Sequence, residues 1–150
     1  YDLEDLSTGT NGRIYIVNST QTSCPPADQT QFGYAVLNIY KELNLDGNAF
    51  VQPTVATAAS LAINVYNEGS NDTSDTSVNL SGNSNLKAMI TALGGATLGG
   101  GGSSGAFYGA ILAGSITDGG TYSVHYDQAL QVASGRLMPM AIRNYNRPRI

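Results

Sequence analysis

Charged side chains are scarce in this chain: Asp, Glu, Lys and Arg make up 12% of its 150 residues, about half the ~25% usual for soluble domains. Ser, Thr, Asn and Gly take their place, so the surface is polar without being charged. Such a surface costs little to desolvate when copies of a protein pack together. The net charge of -4 gives no overall attraction to nucleic acid or to an acidic membrane, and neither is expected as a partner.

Cysteine occurs once, as Cys24, which excludes an internal disulfide and any site built on paired cysteines. No run approaches the ~20 apolar residues of a membrane-spanning helix, so no membrane insertion is expected. The chain does not open with the basic and then apolar segments of a secretory signal. Because it starts at Tyr1 and not at Met, we expect processing or truncation at the N-terminus.

The length of the chain suits one domain, which at this size buries roughly 70% of the surface that its unfolded chain exposes. We therefore expect a single domain over residues 1–150, with extended arms at residues 1–10 and 144–150.

Two segments show the residue spacing of amphipathic helices. The first begins at an N-cap, Asp28, and ends at Asp46-Gly47; its apolar residues are Phe32, Val36, Ile39 and Leu43. The second is predicted from Asn85 to Leu93 with Ser84 as its cap; its apolar face consists of Leu86, Met89, Ile90 and Leu93.

Segments with β-branched or alternating apolar residues predict strands. They are Arg13 to Asn18, Ser60 to Tyr66, a hairpin of Ala106 to Ile116 with Tyr122 to Val132, and an edge strand at Leu137 to Tyr145. No repeat of the length found in solenoid proteins is visible. The sequence therefore predicts an α+β fold, a mostly antiparallel β-sheet of about five or six strands with two helices packed on one face.

The stretch GGATLGGGGSSG matches two functional motifs. Residues 100–105 fit G-x-G-x-x-G, but dinucleotide binding needs a strand before this motif and a helix after it, the reverse of the predicted order. The same glycines fit G-x-S-x-G with Ser103 as nucleophile, and Asp118 and His125 follow in the order of a hydrolase triad. Four successive glycines oppose the rigid turn that such a nucleophile needs, so a mobile loop is the preferred interpretation.

Two further features could hold a metal. His125, the only histidine, is predicted on a strand, where a surface or interface position is preferred to a metal site. The loop at residues 67–77 offers the carboxylates of Glu68, Asp72 and Asp75 to calcium, but it lacks the spacing and the glycine of an EF-hand. No cofactor is expected, and whether this loop binds calcium stays open.

Opposite charges collect at the two ends of the chain. The acidic residues are Asp2, Glu4 and Asp5, and the basic ones are Arg143, Arg147 and Arg149. They form either two solvated tails, an intramolecular pairing, or a contact between subunits in which Arg-carboxylate pairs set the register. We take these six as candidate subunit contacts, with copies of the chain or other structural subunits as partners.

Together these features favour a non-enzymatic structural subunit that self-assembles into a virus particle as a capsid, cement or tail component, on a virion or outside the cell. A subunit of an extracellular filament or pilus is the alternative. The nine tyrosines leave open a carbohydrate-binding module, and Ser103 leaves open a small serine hydrolase. No catalytic, metal or cofactor-binding residue is assigned.

Overall fold

The computed structural model describes residues 1–15, 35–51, 57–69, 75–99, 105–120, 122–128 and 130. The described elements are thirteen β-strands and one 3-10 turn at Ala58–Ser60. The strands are β1 Asp2–Leu3, β2 Leu6–Thr8, β3 Arg13–Ile14, β4 Ala35–Ile39, β5 Leu43–Leu45, β6 Phe50–Val51, β7 Leu61–Val65, β8 Thr76–Leu80, β9 Asn85–Ala92, β10 Gly95–Leu98, β11 Ala106–Leu112, β12 Ser115–Asp118 and β13 Ser123–Tyr126. Within these ranges, no helix is long and apolar enough to cross a membrane.

The strands form two sheets in which every pairing is parallel. The first sheet contains β1, β3, β4, β6, β7, β9, β11 and β13, and the second contains β2, β5, β8, β10 and β12. Parallel neighbours need a crossover between them, and here each sheet supplies the crossover for the other. The chain therefore winds as a two-sheet β-solenoid, and we call each winding a rung.

Two rungs are built from two separate strands lying in line. Strand β9 pairs with β6 through Asn85 and Leu86 and with β7 through Met89 to Ala92, so β6 and β7 are the first and second halves of one rung. Strands β3 and β4 are related in the same way, because β3 pairs with β6 and β4 with β7. The chain between the two halves is an insertion into the rung.

The core lies between the two sheets and consists of columns of apolar side chains, one from each rung. Paired residues stack directly, as do Leu86 and Phe107 in the first sheet and Leu80 and Leu98 in the second. Both sheets contribute to a single buried cluster. The largest fully buried side chains are Phe107, Ile39, Leu43, Leu45, Leu61, Ile63, Leu80, Leu86 and Ile90.

The α+β prediction was wrong: the described parts of both predicted helices contain strands, and residues 28–34 of the first lie outside the described residues. In β9 the buried residues alternate as Leu86, Ala88, Ile90 and Ala92, a period of two, although the same apolar run also fits a helical face. The predicted first helix contains β4 and, in the other sheet, β5. Stacking against the rungs above and below selects the strand, since β9 pairs along its length with β6, β7 and β11.

The sheet is also parallel where an antiparallel hairpin was predicted. Strands β11 and β13 pair in parallel, with β12 of the other sheet between them in the chain. The strand predicted from Ser60 to Tyr66 is present as β7, Leu61–Val65. Of the strand predicted from Arg13 to Asn18, the described part is β3. The strand predicted at Leu137 to Tyr145 lies outside the described residues.

A repeat is present after all, although insertions of different lengths separate its copies. Asn44-Leu45-Asp46-Gly47-Asn48 recurs as Asn79-Leu80-Ser81-Gly82-Asn83, and Leu37-Asn38-Ile39-Tyr40 recurs as Ile63-Asn64-Val65-Tyr66. The spacing of paired residues shrinks from 27 positions between Ala62 and Met89 to 17 between Ala106 and Ser123. This variable spacing hides the period from a search at fixed length.

The first of these repeats forms stacked turns between the sheets. Gly47 and Gly82 both have φ of 65°, and a Cβ on Gly82 would lie 2.7 Å from the backbone N of Gly47, so only glycine fits this close approach. The amide of Asn83 donates to Asn48 across 3.2 Å. The Asp46 carboxylate accepts hydrogen bonds from the backbone N–H of Gly47 at 2.6 Å and from the Ser81 hydroxyl at 2.9 Å. These two hydrogen bonds lower the pKa of the Asp46 carboxyl.

Tyr122 ties the last rung to a rung two levels below it. Its hydroxyl donates to the carbonyl oxygen of Ser84 at 2.8 Å and lies 3.1 Å from the Ser84 hydroxyl. The ring passes Gly105, where a Cβ would meet it at 2.5 Å. Burial raises the pKa of the Tyr122 hydroxyl, so it remains a donor.

We expect Tyr122→Phe to lower the free energy of unfolding by about 1–3 kcal/mol, because the buried Ser84 hydroxyl loses the Tyr122 hydroxyl. The Ser84 carbonyl keeps one hydrogen bond, from the backbone N–H of Ala106. The midpoint of chemical denaturation measures the change. Tyr40→Phe is the control, since Tyr40 is partly exposed, and it should shift stability by no more than about 0.5 kcal/mol. Equal midpoints for the two variants would show that this hydrogen bond contributes nothing.

Candidate functional site: the two ends of the solenoid

The end formed by β12 and β13, here called the last-rung end, exposes residues that continue the core columns. Val124 stacks on Phe107 and Ile116 stacks on Ala96. Yet Val124 and Ile116 are each 54% exposed and Tyr126 is 56% exposed. Within the described part of the chain, nothing covers the core at this end.

The last rung is only half filled by described residues. Strand β13 pairs with Ala106 to Gly109 of β11, which leaves Ala110 to Leu112 without a described strand on that side. After Tyr126 the chain turns away, and the Asp127 carboxylate accepts a hydrogen bond from the backbone N–H of Ala58 at 2.7 Å. Leu112, in the unfilled half, is 68% exposed.

The opposite end, formed by β1, β2 and β3, is here called the first-rung end. Its apolar residues Leu3, Leu6 and Ile14 pack against the core from one side and are only partly buried. Strand β1 pairs with Asn38 and Ile39, so it lies in the second half of its rung.

Backbone hydrogen-bonding groups of β1 and β2 point away from the protein at this end. Leu6 donates to Glu42 and Thr8 accepts from Asp46, so both direct their backbone groups towards the next rung. Successive residues of a strand direct these groups to opposite sides. Ser7 therefore directs its N–H and C=O away from the protein. The carbonyls of Tyr1 and Leu3 accept hydrogen bonds from the next rung, so Asp2, which lies between them, also directs its N–H and C=O away from the protein.

No family model, curated protein or solved structure matches this chain. Its function has to be inferred from these surfaces alone.

The three acidic candidate contact residues lie at the first-rung end, and two of them have partners within the chain. Asp2 accepts a hydrogen bond from Asn38 at 2.8 Å. Glu4 forms a salt bridge with Lys41, which lowers the pKa of Glu4 and raises that of Lys41. Asp5 lies beside them in the chain and is exposed.

The three basic candidates, Arg143, Arg147 and Arg149, lie outside the described residues. Lys41, the partner of Glu4, was not among the six candidate contact residues. Its position follows from the pairing of β1 with β4, which brings together residues that are 37 positions apart.

His125 belongs to a column of exposed side chains on the first sheet, formed with Lys87 and Tyr108. Its ring stacks on Tyr108, with centroids 4.7 Å apart and an interplanar angle of 11°. The Lys87 ammonium lies 5.4 Å from the centroid of the same tyrosine. The alternation that predicts an outward histidine is readable in the sequence, but its stacking partner comes from another rung.

The other motif residues are placed only in part. Ser103 and Asp72 lie outside the described residues, as does Cys24. Asp118 accepts a hydrogen bond from the backbone N–H of Gly120 at 2.9 Å. Among the residues that the structure describes, no group of three His, Cys, Asp or Glu side chains is arranged to hold a metal ion.

Proposed function

We propose that this chain is a non-enzymatic structural subunit that assembles end to end, as a fibre or tail component of a virus particle. An extracellular filament built in the same way is the alternative setting. The observation that carries the proposal is the pair of unlike ends, each with core columns and backbone edges that no described residue covers.

Parallel edge strands of this kind favour the addition of another strand. Because the two ends present different surfaces, an end-to-end contact is heterologous. A heterologous contact that does not close into a ring produces a filament. The solenoid therefore supports growth along its own axis.

The outward side chains of the second sheet support the same proposal. They form an uncharged polar column of Ser7, Asn44, Asn79, Thr97 and Thr117. Such side chains cost less to desolvate than lysine or glutamate, so the sides of neighbouring solenoids can also pack together.

The placement of the tyrosines makes us prefer assembly to carbohydrate binding. Tyr40 and Tyr66 stack on each other with centroids 5.6 Å apart, Tyr108 stacks on His125, and Tyr122 is buried. Each of the two stacking contacts uses a ring face on which a sugar would stack, whereas Tyr1 and Tyr126 are exposed at opposite ends of the solenoid and do not share one surface.

The test is the mass of the purified 150-residue chain as a function of concentration, by light scattering and negative-stain imaging. We expect species far above 15.6 kDa that lengthen with concentration. A chain that stays monomeric to millimolar concentration would overturn the proposed function.

A single proline provides a specific block. Ser7→Pro removes a backbone N–H that faces the open edge and leaves the bonds of Leu6 and Thr8 to the next rung in place. We expect this variant to remain a monomer with an unchanged thermal midpoint. Ser7→Ala keeps the N–H and should assemble like the parent, and assembly by Ser7→Pro would show that this edge is not used.

A further inference from the structure

We propose that each copy completes a rung of its neighbour: β1 of one copy fills the half of the last rung of the next that no described residue occupies, here called the unfilled half. This inference rests on the proposed function and specifies its contact. The partner is a second copy of this chain. Its strand β1 binds the first sheet of the last-rung end, and its strand β2 binds the second sheet.

The fold itself contains the precedent for a rung assembled from two segments. Strands β6 and β7 lie in line beneath β9, although residues 52–60 separate them in the sequence. In the last rung, β13 fills the first half. In the first rung, β1 fills the second half. Joined between two copies, β13 and β1 make one complete rung.

The register follows from the column to which Asp2 belongs. Asp2 pairs with Asn38, Asn38 with Asn64, and Asn64 with Thr91. Thr91 pairs with Leu112 of β11, where the column stops at the unfilled half-rung. A second copy that continues this column has its Asp2 over Leu112 and its Tyr1 over Ile111. Tyr1 is 83% exposed in the single copy, and this position would cover it.

The backbone groups at the two ends match in this register. The backbone N–H groups of Ala106 and Gly114 donate to the rung below. Even-numbered residues of β11 therefore direct their backbone N–H and C=O groups to that rung, and Ile111 directs its own to the open side. Asp2 also directs its N–H and C=O to the open side. In parallel pairing a residue bonds the two neighbours of its partner, so Asp2 bonds Ile111 and Ala113 when it lies over Leu112.

In the same register, the columns of the second sheet also continue from one copy into the next. Leu6 and Ile116 are the end members of one inward column, and Ser7 and Thr117 are the end members of the outward one. In the stack, Leu6 of one copy covers Ile116 of the next. Burial of these apolar groups is the main favourable term.

A third column explains a polar residue in the core. It begins at Thr8, passes through Leu45, Leu80 and Leu98, and ends at Asp118. The Thr8 hydroxyl is buried and has no hydrogen-bond partner among the described residues. The stack places the Asp118 carboxylate of the neighbouring copy next in this column, where it offers an acceptor for that hydroxyl.

The charges of the two ends of the chain agree with this orientation. Residues 1–12 contain three acidic residues and no basic one, whereas residues 128–150 contain four arginines and no acidic residue. Residues 1–12 include strands β1 and β2 of the first-rung end, and residues 128–150 come after the last strand of the last-rung end in the sequence. Opposite charges then favour head-to-tail contact over head-to-head association.

Thiol cross-linking between copies tests the register directly. In a Cys24→Ser background, one preparation carries Asp2→Cys and the other Leu112→Cys, and a second pair carries Ser7→Cys and Thr117→Cys. Neighbouring strands lie ~4.8 Å apart, so a short bis-maleimide reagent should join each mixed pair into a covalent dimer. Each preparation alone should give none.

Two controls make the result decisive. Asn64→Cys with Thr91→Cys in one chain, an adjacent pair in one column, should react with the reagent within the chain. Asp2→Cys mixed with Thr91→Cys is displaced by one rung and should react at least tenfold less than Asp2→Cys with Leu112→Cys.

The outcomes separate the two proposals. If the chain forms long particles but the mixed pairs do not cross-link, the half-rung contact is wrong and self-assembly stands. If the chain stays monomeric and Leu112→Cys resists a small maleimide, the chain covers its own last-rung end, and both proposals fail.

Discussion

Gly109→Ala is expected to be the most damaging single methyl group that can be added to this protein. Gly109 has φ of 154° and pairs with Ala88 in the middle of the first sheet. A Cβ there would lie 1.8 Å from the carbonyl oxygen of Ala88, a backbone atom that cannot move aside without breaking the ladder between β9 and β11. We expect a loss of at least about 3 kcal/mol in the free energy of unfolding.

Chemical denaturation followed by far-UV circular dichroism measures this loss. The matched control is Ala110→Ser, one residue along the same strand, where the side chain points outwards and is exposed. It should remain within about 0.5 kcal/mol of the parent. A Gly109→Ala protein with the parent's midpoint would contradict the close approach of β11 to β9.

The second large effect is expected from Phe107→Ala. Phe107 is fully buried, pairs with Leu86 on one side and Val124 on the other, and is the largest of the fully buried side chains. Truncation leaves a cavity between two rungs that a regular stack cannot close, so we expect a cost of about 3–5 kcal/mol. In a domain with a total stability of ~5–15 kcal/mol, that loss unfolds a large fraction of the chain at elevated temperature.

Leu93→Ala is the control for this substitution. Leu93 is 54% exposed, so its truncation should cost less than about 0.5 kcal/mol. Thermal melts of the two variants at equal protein concentration give the comparison. Similar melting temperatures would show that the column through Phe107 is not a continuous core.

Much of the fold, but not the site at its two ends, could have been found in the sequence by searching for copies separated by variable spacing. The pairs Asn44-Leu45-x-Gly-Asn and Asn79-Leu80-x-Gly-Asn mark equivalent turns, and the Leu37 and Ile63 segments mark equivalent strands. Aligning these copies predicts parallel stacking, because residues at equivalent positions must pair. The two ends could not be found in this way, since an uncovered rung is recognised only when its neighbours are placed.

The candidate contacts were identified by charge, and the structure assigns them a different importance. Asp2 and Glu4 bind Asn38 and Lys41 of their own chain, so their charges are partly satisfied before any copy arrives. Backbone groups and apolar columns carry the proposed contact instead. The backbone groups cannot be found from the charge pattern, because every strand has the same backbone. The apolar columns cannot be found from it either, because Ile116 and Val124 look like ordinary core residues in the sequence.

The sequence by itself determined the low charge of the surface and the strand at Leu61–Val65, since each depends on residues next to one another in the chain. Only the tertiary structure decided that Asn85–Ala92 is a strand, that all pairing among the described strands is parallel, and that β1 and β13 occupy opposite halves of the rungs at the two ends. The physical reason is that a short apolar run satisfies a period of two and a period of 3.6 almost equally well. The partner that selects between them, such as Phe107 for Leu86, lies a full rung away in the sequence.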